Sequence, residues 1–552
     1  MADAIFDLLL KHEKYRHREH QLVGVQALLE HPYFFLADEV GAGKSKQVID
    51  TSQILFIRNT IDTMLVLTPG FARSTWAEED PLLGEVAKHA WDAVPNFIHE
   101  FHKHYTDIDF QPHALNWIIT NYEFIRRDAR LHELMMVLRG RHTMLVLDES
   151  WAIKGFSDQM KASRMLRVRR ADRVVELNGT PLADGKPGDL YYPMMILDPE
   201  ILGVKNRTHF KSKYCVMGGY LNKTVVSYQN LDDLNQRIAP YVLSRRTRDC
   251  FDLPPMLPPV IVEARFSPTE WSIYKEMRDE MVASLGTSAS SAKQAIVKAL
   301  RLAQICSGYL GGLEELAPDV AVGAEKFGPQ PQWLRRIHGE QETPIQAEAQ
   351  GPSPQEADLV TSGDAIPAAT GDRVTPVFQT TREIGRSKLD AFLNWLDTRE
   401  PPPHKLLVWC RFKRELERTT DELKKIYPHV HQLRGGQTKA ERSAAKNFLA
   451  PGGDPSSGAV VGNQKAGGAS LNFAASNIAV YLSNGPALIE RTQSIGRIER
   501  SGATQPMSVV DIIATGPKGQ RTFDHAVLKA LRSKDDMAQW TVAQWRKIIA
   551  EV

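Results

Sequence analysis

A short loop near the amino terminus holds the residue types that bind phosphate. Its chemistry rests on two glycines, a lysine and a serine: Gly41, Gly43, Lys44 and Ser45. Glycines let backbone N–H groups turn toward an anion, the lysine reaches the outer phosphates, and the serine hydroxyl binds magnesium. The alternative is a glycine turn with a solvated lysine. The apolar run Tyr33–Leu36 before the loop and the helical pattern Gln47–Phe56 after it favour the phosphate reading, so the loop predicts a nucleoside triphosphate site.

A pair of acids supplies the second half of this chemistry. Asp148 and Glu149 directly follow the apolar run Met144–Leu147. An aspartate at a strand end can hold Mg²⁺, often through water, and a neighbouring glutamate can orient or deprotonate an attacking water. Solvated acids at a strand end are the alternative. With the phosphate loop in the same sheet, we expect Asp148 to bind nucleotide and metal and Glu149 to be catalytic.

These side chains need a parallel sheet to bring them together. Short β-rich runs alternate with helical stretches after the loop, which predicts a parallel sheet covered by helices with its ligands at the carboxyl ends of the strands. The predicted strands are Met64–Thr68, Trp117–Thr120, Met144–Leu147 and Arg173–Leu177. Before the loop, Leu22, Val25, Leu28 and Leu29 are spaced as on an amphipathic helix. Gln21 on that helix either reads an adenine edge or is a plain surface residue.

Composition limits the class of protein. The chain has 552 residues, 42% of them hydrophobic, which suits two or three domains with ordinary cores. Its formal charge of +2 requires any nucleic-acid surface to be local. The four cysteines are far apart, which argues against a zinc module or disulfide framework and fits a reducing compartment. We expect no leader segment and no membrane span.

The second half of the chain predicts another sheet without a second phosphate loop. Its strands are expected at Leu406–Cys410, His429–Leu433, Ala459–Gly462, Ile478–Leu482 and Val509–Ile513. One nucleotide site would therefore be shared between two lobes. The spacing of Gln493, Arg497 and Arg500 places all three on one helical face, and an arginine pointed across a cleft can stabilise a transferring phosphoryl group.

The order of these segments resembles the Swi/Snf-type branch of helicase superfamily two. The matching segments are Asp38–Ser45, Asp148–Ser150 with Lys154, Gly179–Leu182, Ser244–Asp249, Lys465–Asn472 and Gln493–Arg500. The resemblance implies an α/β fold of two RecA-like parallel-sheet lobes with a shared nucleotide cleft, family-specific helical insertions and a flexible acidic linker. It also implies ATP and Mg²⁺ as cofactors. Trp151 stands where the family usually has His, Asp184 stands near a common Asn, and Ser470 departs from the usual small residue and Gly.

The resemblance also implies further site residues. Gln21, Gln493 and Gly468 would contact the nucleotide. Nucleic acid would contact residues at strand ends and in the loop of the second lobe: Thr68, Pro69, Asn121, Tyr122, Thr180 and Lys465. The expected domain boundaries are residues 1–250 for lobe 1, 251–338 for an inter-lobe helical segment, 339–380 for the acidic insertion and 381–552 for lobe 2.

Two groups of basic residues have open interpretations. One group lies around a helix and holds Lys161, Arg164, Arg167, Arg169, Arg170 and Arg173. It either faces nucleic-acid phosphates or forms a solvated helix face. The other group, Arg245, Arg246 and Arg248, either contacts phosphates or forms ion pairs, and the family pattern favours a role at the lobe boundary.

The resemblance implies an ATP-dependent DNA translocase. Its expected partner is DNA, duplex in preference to single-stranded, with no membrane and a monomeric state. The acidic insertion is expected to be a spacer, with docking of a protein partner or shielding of a basic cleft as the alternatives. The expected location is the cytoplasm, on a bacterial or viral-host nucleoid, or the nucleus in a eukaryote. The alternatives are an RNA-directed member of the superfamily and a nucleotide-gated DNA-binding scaffold with low turnover. A nucleotide kinase is disfavoured because it would not need the second arginine block.

The acidic insertion generates a first prediction. Residues Gly339–Asp372 contain seven acids and no Lys or Arg, among scattered Pro, Gly, Ala and Gln. Such a segment buries too little apolar surface to order itself. Deleting it should leave both lobes folded, as checked by circular dichroism and cooperative thermal unfolding. An insoluble or non-cooperative deletion variant would contradict the interpretation.

Overall fold

The computed structural model describes residues 18–79, 84–102, 108–179, 186–218, 224–286, 292–310, 382–464 and 471–535. The chain forms two compact units. The larger one combines Met1–Ala264, Lys388–Ala514 and Asp524–Val552, and the smaller one combines Arg265–Ser387 and Thr515–Phe523. Both large sheets belong essentially to the larger unit. The predicted four-part division of the chain stays a prediction.

The first sheet, which defines lobe 1, is parallel and has seven strands. The strands of this part of the chain, in sequence order, are β1 (Tyr33–Leu36), β2 (Thr63–Thr68), β3 (Asn96–Glu100), β4 (Leu115–Asn121), β5 (Thr143–Asp148), β6 (Ala171–Leu177), the hairpin β7 (Cys215–Gly218) and β8 (Thr224–Tyr228), and β9 (Val242–Leu243). The sheet order is β3-β4-β2-β5-β6-β1-β9, and β7 pairs with β8 alone. The parallel pairings of β2 with β5 and of β5 with β6 bring the ends of these strands to the same edge.

Helices cover both faces of this sheet. They are α1 (Glu19–Glu30), α2 (Lys44–Ile57), α3 (Arg73–Ala77), α4 (Glu85–His89), α5 (Tyr122–Ile125), α6 (Asp128–Val137), α7 (Asp158–Arg170), α8 (Tyr191–Leu197), α9 (Arg207–Tyr214), α10 (Leu231–Ile238) and α11 (Thr247–Cys250). Strand β5 shows why the strands are apolar throughout. Leu145 and Leu147 pack into one core, whereas Met144 and Val146 pack into the core on the opposite face. Burial on both faces is the reason that parallel strands read as continuous apolar runs.

The second sheet defines lobe 2. Its strands are β10 (Val260–Arg265), β13 (Lys405–Trp409), β14 (His429–Leu433), β15 (Gly458–Gly462), β16 (Ile478–Tyr481) and β17 (Ser508–Thr515), in the order β10-β17-β16-β13-β15-β14. The helices of this part are α14 (Ser387–Asp397), α15 (Lys413–Leu423), α16 (Lys439–Leu449) and α17 (Leu488–Ile495). Strand β13 is buried along its whole length between two cores.

The smaller unit is mainly helical. It contains α12 (Pro268–Gly286) and α13 (Ala292–Cys306), together with the antiparallel pair β11 (Tyr309–Leu310) and β12 (Arg382–Glu383). Glu270 at the start of α12 accepts hydrogen bonds from the backbone N–H of Ser267 and the hydroxyl of Ser387. This contact ties the helix start to the segment that follows β12.

The predicted fold class, two RecA-like parallel-sheet lobes, is confirmed. The predicted strands are present in both sheets, and their ends agree with the prediction to within two residues. Strand β3 was not predicted because three of its five side chains are polar and none of the five is fully buried. The acidic insertion lies outside the described residues. Among the residues that are described, no helix is long and apolar enough to cross a membrane.

Strand β6 carries an unusual buried acid. Glu176 is 0% exposed, and its carboxyl group lies close to the hydroxyl of Ser150, which is also buried. Burial raises the pKa of this carboxyl from 4.5 to about 8. The folded protein therefore keeps a proton on Glu176 across a pH range in which the unfolded chain releases it.

This proton makes the folding stability depend on pH. Because the folded-state pKa of Glu176 is raised, its contribution is fully present below pH 4.5 and is lost as the pH rises toward about 8. Glu176→Gln cannot ionise, so relative to wild type it should gain up to about 1.4 kcal/mol of unfolding free energy per pH unit in that window. Urea unfolding of both proteins from pH 5.5 to 8.5 measures the difference. Parallel stability curves would contradict it.

Candidate functional site

The phosphate loop connects β1 to the start of α2. Gly41 has φ +97° and Gly43, the N-cap of α2, has φ +80°, both in the left-handed region that glycine adopts readily. A β-carbon on Gly41 would come within 3.0 Å of Nε of Arg500, and one on Gly43 would overlap Nε2 of Gln21. Both positions therefore favour glycine for their conformation, and both lie against side chains of the site. The loop thus has the backbone conformation and the helix start that the sequence predicts, and its binding of phosphate stays a prediction.

Lys44 is the first residue of α2. Its Nζ donates hydrogen bonds to the backbone carbonyls of Asp38, at 2.7 Å, and Glu39, at 3.1 Å. Burial lowers the pKa of Lys44, and the carboxylates of Glu149, Asp38 and Asp148 oppose that shift. The lysine thus lies where the phosphate loop and the acidic end of β5 meet.

A buried ion pair holds the phosphate loop in place. Asp38 is 0% exposed and accepts hydrogen bonds from Nε of Arg245, at 2.9 Å, and from its Nη2, at 2.5 Å. The same guanidinium donates to the backbone carbonyl of His20 and to Gln47 Oε1. The neighbouring Thr247 donates its backbone N–H to Glu39 Oε2, at 2.9 Å. Arg245 is therefore an ion-pair residue that braces the loop, which decides between its two sequence interpretations.

Asp148 ends β5 and is held by three side chains of lobe 1. Its Oδ2 accepts hydrogen bonds from Trp76 Nε1, at 2.8 Å, and from Thr68 Oγ1, at 3.3 Å. Tyr122 Oη donates to its backbone carbonyl at 2.9 Å. Burial raises the pKa of Asp148, whereas the Trp76 hydrogen bond and the Lys44 charge lower it. These donors hold the carboxylate in one orientation beside the phosphate loop.

Glu149 has a left-handed backbone, with φ 51° and ψ 55°. For a residue other than glycine this conformation is uncommon and is typical of functional sites. Its Oε2 accepts hydrogen bonds from Trp151 Nε1, at 2.9 Å, and from Gln493 Nε2 of lobe 2, at 3.1 Å. Burial and the charge of Asp148 raise the pKa of Glu149 to about 7, and Lys44 lowers it. Glu149, the predicted base, is 8% exposed and is contacted by residues of both lobes.

The two predicted arginine-finger residues follow α17. The prediction of one helical face for them is wrong, because α17 ends at Ile495 and both arginines lie in the turns after Gly496. They nevertheless converge, since Nη1 of Arg500 donates to the carbonyl of Leu471 at 2.8 Å and Nη1 of Arg497 lies 3.5 Å from it. Burial lowers the pKa of both guanidinium groups. The turns, rather than helical spacing, aim these arginines toward lobe 1.

Some of these groups could hold phosphate and magnesium. Nε of Arg500 is buried next to Gly41 and forms no hydrogen bond with the described residues. An anion at the loop would satisfy this donor. Ser45 and Asp148 supply oxygen atoms of the kind that Mg²⁺ prefers. No group of three or more His, Cys, Asp or Glu suited to a metal occurs in the described ranges, so phosphate and water oxygens would complete the coordination.

The remaining predicted nucleotide residue, Gln21, lies against the loop. It is 8% exposed, and its Oε1 accepts the backbone N–H of Arg18 at 3.1 Å. Gly179, from the motif after β6, is also close: a β-carbon there would lie 3.3 Å from Nζ of Lys44. Gly468 lies outside the described residues. Proximity thus agrees with a nucleotide role for Gln21, which stays a prediction.

The predicted nucleic-acid residues differ in accessibility. Thr68 and Tyr122 are 0% exposed and bonded to Asp148, so in this structure their side chains support the acid. Pro69 is buried as well, whereas Asn121 is partly exposed and caps α5 by accepting the backbone N–H of Phe124 at 2.7 Å. Thr180 and Lys465 lie outside the described residues. A nucleic-acid role for these positions stays a prediction.

Several site residues were missed from the sequence. Trp76 lies in α3 and carries no motif signal, yet its indole holds Asp148. Glu85 in α4 lies near Ser45 and Arg500, both of which lower its pKa while burial raises it. His20 Nε2 lies 2.9 Å from the carbonyl of Ala42. Trp151 was noted only as a departure from the family pattern. Trp76 and Glu85 come from helices whose position depends on tertiary packing, so sequence spacing could not identify them.

The basic group around α7 is partly structural. Arg170 Nε donates to the carbonyl of Met135 at 2.6 Å, and Arg173 Nη2 donates to the carbonyls of Leu28, at 2.7 Å, and Leu29, at 2.9 Å. Arg167 donates to the carbonyl of Leu197. These arginines bind carbonyl groups at or near the ends of neighbouring helices, a role that neither sequence interpretation included.

The chain is similar to known proteins. The family described as SNF2-related domain matches residues 20–308, more than half of the 552 residues. A curated relative, the chromatin remodeling factor mit1 of Schizosaccharomyces pombe, is 22% identical over 252 residues, which cover 44% of this chain and 16% of mit1. The chain therefore spans about a sixth of the length of that relative.

Two solved structures from Sulfolobus solfataricus are also similar. The SWI2/SNF2 ATPase core in complex with dsDNA is 19% identical, with a TM-score of 0.38 over 96% of this chain and 95% of that one. The SWI2/SNF2 ATPase core domain is 18% identical, with a TM-score of 0.37 over 91% of this chain and 86% of that one.

The ion pair under the phosphate loop generates a prediction. Arg245→Met would leave the carboxylate of Asp38 buried without its partner, which typically costs about 3–5 kcal/mol. We expect a large loss of unfolding free energy, and nucleotide binding should weaken with it because the loop loses its brace. The measurements are urea unfolding and titration with a fluorescent ATP analogue.

A neighbouring residue provides the control for this variant. Arg246 pairs with Asp249 at the surface, where both side chains are more than 40% exposed. Arg246→Met should therefore change stability by only about 0.5 kcal/mol. The double variant Asp38→Asn/Arg245→Met should recover much of the lost stability. Equal effects of Arg245→Met and Arg246→Met would contradict the bracing role.

Proposed function

The chain belongs to the SNF2-related family of ATPase cores, and from this premise we propose that it is an ATP-dependent DNA translocase with one catalytic site shared by two lobes. The observation that carries the proposal is the contact of Gln493 from lobe 2 with Glu149 of lobe 1, at 3.1 Å. A motor of this kind needs its hydrolytic base to sense the second lobe. An isolated single-lobe nucleotide pocket would not need such a contact.

The chemistry divides between the lobes. In lobe 1 the backbone of Gly41–Gly43 and the ammonium of Lys44 bind the phosphates of ATP, and Glu149 orients the attacking water. In lobe 2, Arg497 and Arg500 stabilise the charge that develops on the transferring phosphoryl group. Ser45 and Asp148 would hold Mg²⁺, which neutralises phosphate charge. Gln21 orients the base of the nucleotide.

Movement on DNA would follow from this division. ATP binds to both lobes only when they are close together, so binding favours the closed arrangement, and hydrolysis removes the γ-phosphate contacts that hold it. If DNA binds at Asn121 and the neighbouring strand ends of lobe 1 and at Lys465 of lobe 2, each cycle of ATP binding and hydrolysis displaces one DNA-binding site relative to the other. The similarity to a chromatin remodeling factor motivates duplex DNA as the track. We propose a monomeric motor, with the acidic insertion as its docking segment for a protein partner and the nucleoid or nucleus as its location.

The decisive experiment is the ATPase rate with no polymer, duplex DNA, single-stranded DNA and RNA. The proposed function predicts the largest stimulation by duplex DNA and a steep fall of that stimulation with salt, because phosphate contacts dominate affinity. Stimulation by RNA alone would favour an RNA-directed enzyme. Binding of duplex DNA that depends on ATP but is accompanied by little turnover would favour a scaffold.

Three variants test the shared site. Lys44→Ala should abolish ATP binding, whereas Glu149→Gln should bind ATP and stop turnover. Arg500→Ala should bind ATP nearly normally and lose about 10³-fold in turnover, as is typical of an arginine finger. A folded Arg500→Ala protein with full DNA-stimulated activity would remove the shared-site mechanism and leave only a pocket around Lys44.

A further inference from the structure

Trp151 contacts the proposed base directly. It lies in the 3₁₀ turn Ser150–Ile153, two residues after Glu149, and its Nε1 donates to Glu149 Oε2 at 2.9 Å. The left-handed backbone of Glu149 turns the chain so that a side chain two positions later can reach back. The indole N–H can donate a hydrogen bond but cannot accept one, so in this contact Trp151 is the donor and Glu149 the acceptor.

Gln493 contacts the same carboxylate oxygen from lobe 2. Its Nε2 lies 3.1 Å from Glu149 Oε2. The two donors therefore share one oxygen, which has two lone pairs, and the other oxygen of Glu149 takes part in neither bond. Because the indole cannot accept a hydrogen bond, Trp151 cannot relay a contact between Gln493 and Glu149. Each donor must therefore contact the carboxylate directly.

We propose that Trp151 is a positioning residue whose hydrogen bond fixes Oε2 of Glu149. A second hydrogen bond, from Gln493 of lobe 2, fixes the same oxygen. The other carboxylate oxygen is then left for the attacking water. The inference deepens the proposed function and rests on it. The hydrogen bond from Trp151 is formed within lobe 1. The hydrogen bond from Gln493 depends on the arrangement of the lobes, so it couples the geometry of the base to lobe closure.

A packing role for the indole ring makes a different prediction. Trp151 is partly buried, so its ring could contribute only contact area. Trp151→Phe retains an aromatic ring and deletes the donor, whereas Trp151→His retains a ring N–H donor on a smaller ring. A packing role is disturbed less by Phe than by His, and the positioning role is disturbed less by His than by Phe.

The first test measures steady-state ATP hydrolysis with duplex DNA. Trp151→Phe should lower kcat about ten- to a hundredfold, the factor for one hydrogen bond to a charged group, with KM for ATP within about twofold. Trp151→His should recover a large part of kcat. Trp395→Phe is the matched control, since Trp395 stacks on Phe392 in lobe 2, and it should keep wild-type kcat. Unchanged kcat in Trp151→Phe, or a loss that His does not rescue, would overturn the proposal.

The second test asks whether the two donors share one target. Gln493→Met removes the amide donor at similar size. If both donors hold the same oxygen, the double variant Trp151→Phe/Gln493→Met should lose less kcat than the product of the two single losses. Strictly multiplicative losses would show that the two residues act separately and would contradict the shared hold.

A third readout does not depend on turnover. The fluorescence emission of Trp151 is the difference between the spectra of proteins with Trp151 and with Trp151→Phe. This difference, taken in wild type and again in Glu149→Leu, should shift because Glu149→Leu removes the acceptor of the indole N–H. An unchanged difference spectrum would overturn the contact itself. If this shift occurs but wild type shows no ATPase activity under any polymer condition, the proposed function fails while the Trp151 contact stands, so the two failures are distinguishable.

Discussion

The buried ion pair between Asp38 and Arg245 is the constraint on which the site depends. An aspartate with no exposure is stable as an anion only if its partner is present, and here the partner comes from the segment after β9. That segment also holds the loop through Thr247 and Glu39. The phosphate loop is therefore braced from two sides by the segment after β9, and this bracing supports the position of Lys44 at the start of α2.

Glu149 interacts with residues of both lobes. It is buried beside Asp148, faces Lys44 and Arg497, and receives hydrogen bonds from Trp151 and Gln493. Burial next to another acid disfavours its charge, and the cations and donors around it restore that charge. A carboxylate balanced in this way responds to small changes in its surroundings. In this protein those surroundings include a residue of lobe 2, which gives a physical basis for coupling hydrolysis to the arrangement of the lobes.

The arginines of the chain have two kinds of role that charge alone does not distinguish. Arg170 and Arg173 donate to backbone carbonyls and hold elements of lobe 1 together. Arg500, in contrast, has a buried Nε without a partner in the described residues, next to Gly41. A guanidinium whose N–H groups donate to backbone carbonyls stabilises the fold. An N–H group such as Nε of Arg500, buried beside a phosphate loop without an acceptor, can bind an anion. The net charge of the chain, +2, reveals neither role.

The sequence by itself determined the phosphate loop, the acid pair, the strand positions and the two-lobe class, because these depend on local spacing and on apolar runs that only a doubly covered parallel sheet can bury. The tertiary structure alone decided which side chains meet. Trp76 reaches Asp148 and Arg245 reaches Asp38 across 72 and 207 residues of chain, and no periodicity encodes contacts of that range. It also ended α17 at Ile495 with Gly496 as its C-cap residue, so the two arginines follow in turns that their helical spacing does not reveal.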